Sequence, residues 1–334
     1  RQRKRLSPVE LFQERVAFGR PFLFARFDGA RGSFYSEIKM DLRSLMLGLV
    51  FALMWSSAFT SARMIVAEAS PLAALSVRFL ISGLLGVLIA RFLGQTMRLT
   101  QAQWRATIVF GIFQNAIYLG LNFVAMQTIE ASVASIIASS MPLMVALAGW
   151  LVFRETLPFL GIVGLVFGVL GVSLIMGLRI EAGVELHGLV LCLIAAMALT
   201  VATLSVRGAV AGGNVMMIVG LQMIVGGVSL AIIALIWEPF QINPTWRLLG
   251  AFTYTTLIPG LAATFIWFKL VDRIGAVKAA TFHFLNPFFG VLIAAALLGE
   301  DIGLLDYVGV VIIALGILAV QLSKQHQTKS RSAH

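Results

Sequence analysis

The sequence predicts an all-α integral membrane protein of ten transmembrane helices, arranged as two inverted five-helix repeats. Three observations carry this expectation. Charge is scarce: 59% of the 334 residues are hydrophobic and 12% charged, against about 25% charged in a soluble domain, and the mean hydropathy is +0.95. Charge-poor windows of about 20 residues, the helix length that crosses hydrocarbon, recur from Ser44 onward. Finally, one stretch is written twice. Pro142, Glu155, Gly164 and Gly171 return 145 residues further on as Pro287, Glu300, Gly309 and Gly316, and Ile129 and Ala131 return as Ile274 and Ala276. Identities of such restrictive types at one fixed offset mark a tandem duplication.

Residues 1–43 form a basic N-terminal tail without an apolar run of signal-peptide length. It reads as a cytoplasmic tail or, over residues 1–39, as an extension ahead of a start at Met40. The first repeat covers 44–178, with spans centred on 44–62, 72–90, 106–127, 131–153 and 157–178. The second covers 179–323, with spans at 188–206, 214–236, 248–268, 279–299 and 304–323, and residues 324–334 make a C-terminal tail. The loops between spans leave no room for a soluble catalytic domain.

Basic residues set the expected orientation, because cytoplasmic loops carry the Lys and Arg excess. Ten of the 25 lie before Ser44. Loops on that side hold Arg91, Arg98, Arg105, Arg154, Arg207, Lys269, Arg273 and Lys278. The opposite loops hold Arg63, Arg179 and Arg247 beside Glu130, Glu300, Asp301 and Asp306. Both termini are therefore expected in the cytoplasm, and the net charge of +10 reflects orientation rather than nucleic-acid binding. Five spans per copy is an odd number, so the second copy must enter from the opposite face. Inverted repeats place a solute site near the midplane and support alternating access.

Polar residues inside the spans are the candidates for lining that site. Gln114, Asn115, Tyr118 and Asn122 share one face of the third span; amides facing lipid would be unsatisfied, so this face reads as a cavity wall or as hydrogen-bond glue between helices. The eighth span offers Thr253, Thr256, Gly260, Thr264 and Trp267, and Pro259 there frees a backbone carbonyl that can act as ligand or hinge. Pro142 and Pro287 are expected well inside the fourth and ninth spans as matched kinks, with Ser135 and Ser139 near the first and His283 and Asn286 near the second. Arg78 lies seven residues beyond Pro71, about 10 Å along a helix. A charge at that depth costs about 2.5–3.5 kcal/mol unless paired or hydrated. It reads as an attractor of an anionic solute, as a snorkelling side chain, or as a structural partner of the other repeat. His283 ordinarily titrates near neutral pH, compatible with proton coupling, yet no Asp or Glu lies deep in a span to complete a relay.

Glu155 and Glu300 precede the fifth and tenth spans, where a carboxylate complements the helix dipole. They read as structural corners. Gly161, Gly164, Gly168 and Gly171 line one side of the fifth span and permit close backbone approach, and the duplication extends this to Gly309 and Gly316. The lone cysteine, Cys192, allows no intrachain disulfide, and the histidines at 187, 283, 326 and 334 are not at metal-ligand spacing. Neither metal nor cofactor is expected.

In these residues the chain resembles the EamA family of the drug/metabolite transporter superfamily, whose unit is a five-helix repeat. The resemblance covers about residues 45–322 and rests on Trp55, Ser56 and Phe59, on Pro71 and Arg78, on the Pro142, Arg154, Glu155, Gly164, Gly171 series, and on Asn286, Pro287, Glu300, Gly309 and Gly316. The front of the second copy departs from the pattern, since Trp55 maps near Thr200 and Arg78 near Met223. The resemblance implies a bacterial inner-membrane exporter of amino acids or similar small metabolites, and it adds Trp55 and Ser56 to the expected solute-binding residues. The expected partners are a small-molecule solute and the lipid bilayer, with no nucleic acid. A channel or a membrane sensor remains an alternative class. An intramembrane enzyme is disfavoured, because the chain has no HExxH or GxSxG motif and no pair of membrane aspartates.

Overall fold

The computed structural model describes residues 42–152, 154, 156–181, 183–205, 214–274, 279, 281–301 and 303–332. The basic tail before Leu42, Glu155, Ala276 and Lys278 lie outside the described residues. Among the described residues ten helices follow one another: α1 Leu42–Val66, α2 Pro71–Phe92, α3 Gln101–Ala125, α4 Ala131–Leu151, α5 Phe159–Glu181, α6 Leu186–Ser205 and α7 Val215–Trp237. The runs Trp246–Thr255, Thr256–Ala262 and Ala263–Ile274 make α8, Thr281–Leu285 with Asn286–Leu298 makes α9, and Leu304–Ser332 is α10. Among the described residues, nine helices are long and apolar enough to cross a bilayer; α9, apolar over Phe282–Leu298, is shorter than the span expected there. It opens as a 3-10 turn and ends at Gly299, whose left-handed φ of 67° suits glycine.

Local chemistry explains several boundaries. Thr100 and Gln103 form a reciprocal capping box that starts α3, Thr245 caps α8 through the Leu248 amide, and Pro71 occupies the first turn of α2. Leu84, Leu170, Ile232 and Val311 point outward and are exposed, as expected of helices whose outer faces meet lipid instead of water.

The repeats join along two crossings between equivalent helices, α2 on α7 and α5 on α10. Both are backbone-close. A Cβ on Gly164 would stand 2.6 Å from the Gly316 carbonyl, and one on Gly171 would stand 3.2 Å from that of Gly309. Parallel copies would set Gly164 beside its own repeat mate, Gly309. The crossed pairing is what an inverted duplication requires, so these glycines record the orientation directly. Gly83 and Gly220 do the same for α2 and α7, each with the other's carbonyl within 2.9 Å of a would-be Cβ.

Two further features repeat at the same offset. Residues Gly111–Tyr118 of α3 and Thr256–Ala262 of α8 are both π-helical, and 111 and 256 are 145 apart. Pro142 and Pro287 both sit in the first turn of a new helical segment, after Ser140 and after Leu285 respectively. Each thus lies within its span, at a point where the helical run restarts. The helix is already interrupted ahead of each, and proline fits a first turn because its missing N–H would have no intrahelical partner.

Candidate functional site

Helix α1 carries Ser56, Ser57, Thr60 and Ser61 halfway along an otherwise apolar stretch, all buried. Ser61 bonds carbonyls of its own helix and the Thr60 hydroxyl has no partner, whereas Ser56 and Ser57 each meet the other repeat. Ser56 Oγ donates to Asn286 Oδ1 at 3.5 Å. Ser57 Oγ meets the Tyr254 hydroxyl of α8 at 2.8 Å. Asn286 Nδ2 lies 2.9 Å from His283 Nδ1; an amide nitrogen can only donate, which places the imidazole proton on Nε2. Around this chain stand aromatic rings: Phe51 and Trp267 are 4.8 Å apart, and His283 lies 5.4 Å from Phe51, 5.3 Å from Trp267 and 6.4 Å from Trp55. Polar groups and flat apolar faces thus converge at the seam between repeats, as in small-molecule sites generally.

The structure brings Trp55, Ser56, Trp267, His283 and Asn286 together and sends the α3 stripe elsewhere. Asn115 donates to the Gln222 carbonyl of α7 at 3.0 Å. Asn122 donates to Tyr118 O at 2.7 Å and faces Cys192 of α6 at 3.4 Å. Asn115 thus joins α3 to α7, and Asn122 meets α6 through Cys192, the hydrogen-bonding role expected as one of two alternatives for this face. The π turn, whose i→i+5 bonding departs from α-helical spacing, contains Gln114, Asn115 and Tyr118. Tyr118 is buried and Gln114 half-buried. Replacing Asn115 by alanine is expected to cost about 0.6–2 kcal/mol of helix association, read as a lower melting temperature in detergent with the solute KM unchanged.

The α8 stripe is also redistributed. Thr256 and Thr264 return their hydroxyls to Phe252 O and Gly260 O of their own helix, and Thr253 is exposed. Tyr254, which helical spacing did not single out, is 40% exposed and reaches Ser57 with its hydroxyl. Ser139 likewise bonds Ser135 O at 2.7 Å. Arg78 is buried and donates through Nη2 to Thr255 O at 3.3 Å. That carbonyl is available because the residue four positions on is Pro259, which has no N–H.

Carboxylates of the second repeat close one end of the bundle. Glu300 accepts from the amides of Ala131 and Ser132 at 2.8 and 3.0 Å, capping α4 rather than its own helix α10 as expected from sequence proximity. Glu238 does the same for α2 through Leu72 and Ala73 at 3.0 and 2.8 Å. Glu68 and Asn243 meet beside them at 2.8 Å. At the opposite end Gln95 accepts from the Met217 amide at the start of α7. Glu155, the repeat mate of Glu300, lies outside the described residues. A cavity of about 580 Å³ lined by Glu68, Gln127, Glu238 and Asn243 lies at the capped end, separate from the central cluster. Among the described residues no group of three or more His, Cys, Asp or Glu is placed to hold a metal ion.

A bundle of two antiparallel copies with polar and aromatic groups at their seam is the architecture of an inverted-repeat membrane transporter. The chain belongs to the EamA-like transporter family, whose model matches residues 42–177 and again 186–322. It is 24% identical over 314 residues to an uncharacterized transporter of Synechocystis sp., covering 89% of this chain and 95% of that protein. Similarity to the uncharacterized transporter YvbV of Bacillus subtilis is 23% over 85% of this chain and 93% of the relative. The protein PecM of Dickeya dadantii is 24% identical, over 80% of this chain and 88% of its own length. A solved crystal structure superposes with a TM-score of 0.63 at 17% identity, covering 85% of this chain and 98% of the other, a likeness of fold.

Proposed function

We propose that this protein is a secondary transporter that exports small metabolites, foremost amino acids or related compounds, across a bacterial inner membrane. Both termini face the cytoplasm in this reading, and the two repeats expose the seam alternately to either side. The observation that carries it is the set of contacts between Ser56 and Asn286 and between Ser57 and Tyr254. Buried polar groups inside membrane helices point to a pathway, and here each repeat supplies one half of the buried Ser56–Asn286 pair, with the part-exposed Tyr254 reaching Ser57 beside it. A solute entering between them would take over hydrogen bonds that the halves now make to each other.

Solute recognition divides naturally between these polar atoms and the Phe51, Trp55 and Trp267 faces, which suit an apolar or aromatic body. His283, hydrogen-bonded to Asn286, is the group that a proton-coupled cycle would use; Pro142, Pro259 and Pro287 are the hinges about which segments would turn. The test is flux into proteoliposomes containing the full chain. Uptake of a labelled amino-acid pool is expected to saturate and to show counterflow when the vesicles are preloaded. Linear flux without counterflow would assign a channel, and its absence for amino acids and for a wider metabolite screen would overturn transport. A further expected result is that Tyr254→Phe, which deletes one seam hydroxyl at near-constant volume, changes the uptake KM several-fold while leaving the yield of folded protein intact.

A further inference from the structure

Arg78 is a charge without a counter-ion. Its side chain is 6% exposed, and among the described residues no carboxylate pairs with it. Of its five N–H donors, one reaches Thr255 O at 3.3 Å, the long end of the normal range, and Nε has no partner. The guanidinium carbon rests 5.1 Å from the centre of the Phe79 ring. One turn further along α2, the hydroxyl of Ser82 is also buried and without a partner. Both groups border the same point in α8. A Cβ on Gly260 would stand 3.5 Å from Arg78 Nη2, 3.7 Å from Ser82 Oγ and 3.1 Å from Thr255 O. Unpaired donors from the first repeat therefore converge on a glycine at the π turn of the second repeat, where a methyl would already be in contact.

We propose that Arg78 and Ser82, where α2 meets Gly260 of α8, form an anion subsite that opens to receive the carboxylate of the transported solute. A guanidinium fork matches a carboxylate with two parallel N–H donors, and the Ser82 hydroxyl supplies a third. Thr255 O is the resting partner that Arg78 leaves when the anion arrives. Binding then releases a contact between α2 and α8, and so between the repeats. Ordered binding of this kind selects compounds bearing a carboxylate over otherwise identical neutral ones, because a neutral solute would leave the buried donors unpaired. This inference rests on the transport reading above and names the group of the solute that the seam recognises.

The test compares a labelled L-amino-acid pool with the matching pool of amino-acid amides, in proteoliposomes and in thermal-shift assays of the purified full chain. The parent protein is expected to prefer the acids by about tenfold or more, the scale of one charge-assisted hydrogen-bonded contact. Arg78→Gln is expected to abolish that preference, and Arg78→Lys to restore part of it. Gly260→Ala, whose methyl would crowd Thr255 O at 3.1 Å and touch Arg78 Nη2 at 3.5 Å, is expected to raise the KM for acids about tenfold, with folded yield measured alongside. Ser82→Ala is expected to raise it less, and these two variants keep the test informative should Arg78→Gln not fold. An unchanged acid preference in Gly260→Ala and Ser82→Ala overturns the subsite. Flux indifferent to the carboxylate overturns the subsite and retains transport. Acid-specific stabilisation without flux retains the subsite and overturns transport, and neither binding nor flux of either pool overturns both.

Discussion

Gly164→Leu is expected to prevent the protein from reaching its folded state. At this position the α5 and α10 backbones touch: a Cβ would lie 2.6 Å from Gly316 O, 3.0 Å from Ala319 Cβ and 3.0 Å from Val320 Cγ2. The first obstacle is backbone and cannot rotate away, so the helices must separate. Separation also opens the neighbouring contacts of Gly171 with Ile313 and of Gly168 with Gly316. Overpacking at a single point costs about 1–3 kcal/mol; here several contact layers along one crossing would be lost together, and membrane helices depend on such packing for association. Gly177→Ala in the same helix, where an added Cβ meets nothing within 4 Å, is the control. The measurement is the monodisperse fraction on size-exclusion chromatography in mild detergent. Near-parental recovery of Gly164→Leu would show that α5 and α10 do not need this crossing.

Those glycines also show why so much of the architecture was legible. Inversion follows from counting five spans per repeat and from where Arg and Lys fall, and Gly164, Gly171, Gly309 and Gly316 are residue types that tolerate few replacements at a backbone crossing. A duplicated signal of this kind survives drift in the apolar residues around it. The site was harder to read because two π turns intervene. A period of 3.6 placed Asn115 and Asn122 on a common inward face, whereas the structure spends them on α7 and α6. In α8 both Thr253 and Tyr254 are exposed, and only the tyrosine hydroxyl reaches Ser57 of the other repeat. Nothing in the one-dimensional pattern marks a π segment, although Pro259 inside the second gives a reason for one, since it withholds an N–H from Thr255 O. Glu300 illustrates a different limit. Its position in the chain suggested service to α10, but an acidic side chain in a loop can reach any helix start nearby, and the nearest free amides belonged to α4.

Neutralising Glu238 and Glu300 together is expected to open the end of the bundle that these residues cap. Each carboxylate spans two amides at a helix start of the other repeat, at 2.8–3.0 Å, where the helix dipole favours negative charge. Hydrogen bonds to a charged acceptor contribute about 1.5–3 kcal/mol each way of counting, so loss of both caps removes about 3–6 kcal/mol from the closed arrangement. A shift of about 5.5 kcal/mol carries a two-state equilibrium from 1:99 to 99:1. Glutamine is the stringent replacement because it keeps the size and one acceptor oxygen while removing the charge. The readout is a single cysteine at Thr60, buried in α1, in a background where Cys192 is serine, challenged with a membrane-impermeant maleimide. Labelling of Glu238→Gln/Glu300→Gln is expected to be at least about tenfold faster than in the parent, with either single variant intermediate, the additivity expected of two separate latches. Because the caps belong to loops of one repeat and the capped helices to the other, faster labelling would show that the repeats part as bodies at that end. Equal rates in all four proteins would mean that the caps fix helix starts without holding the two halves together.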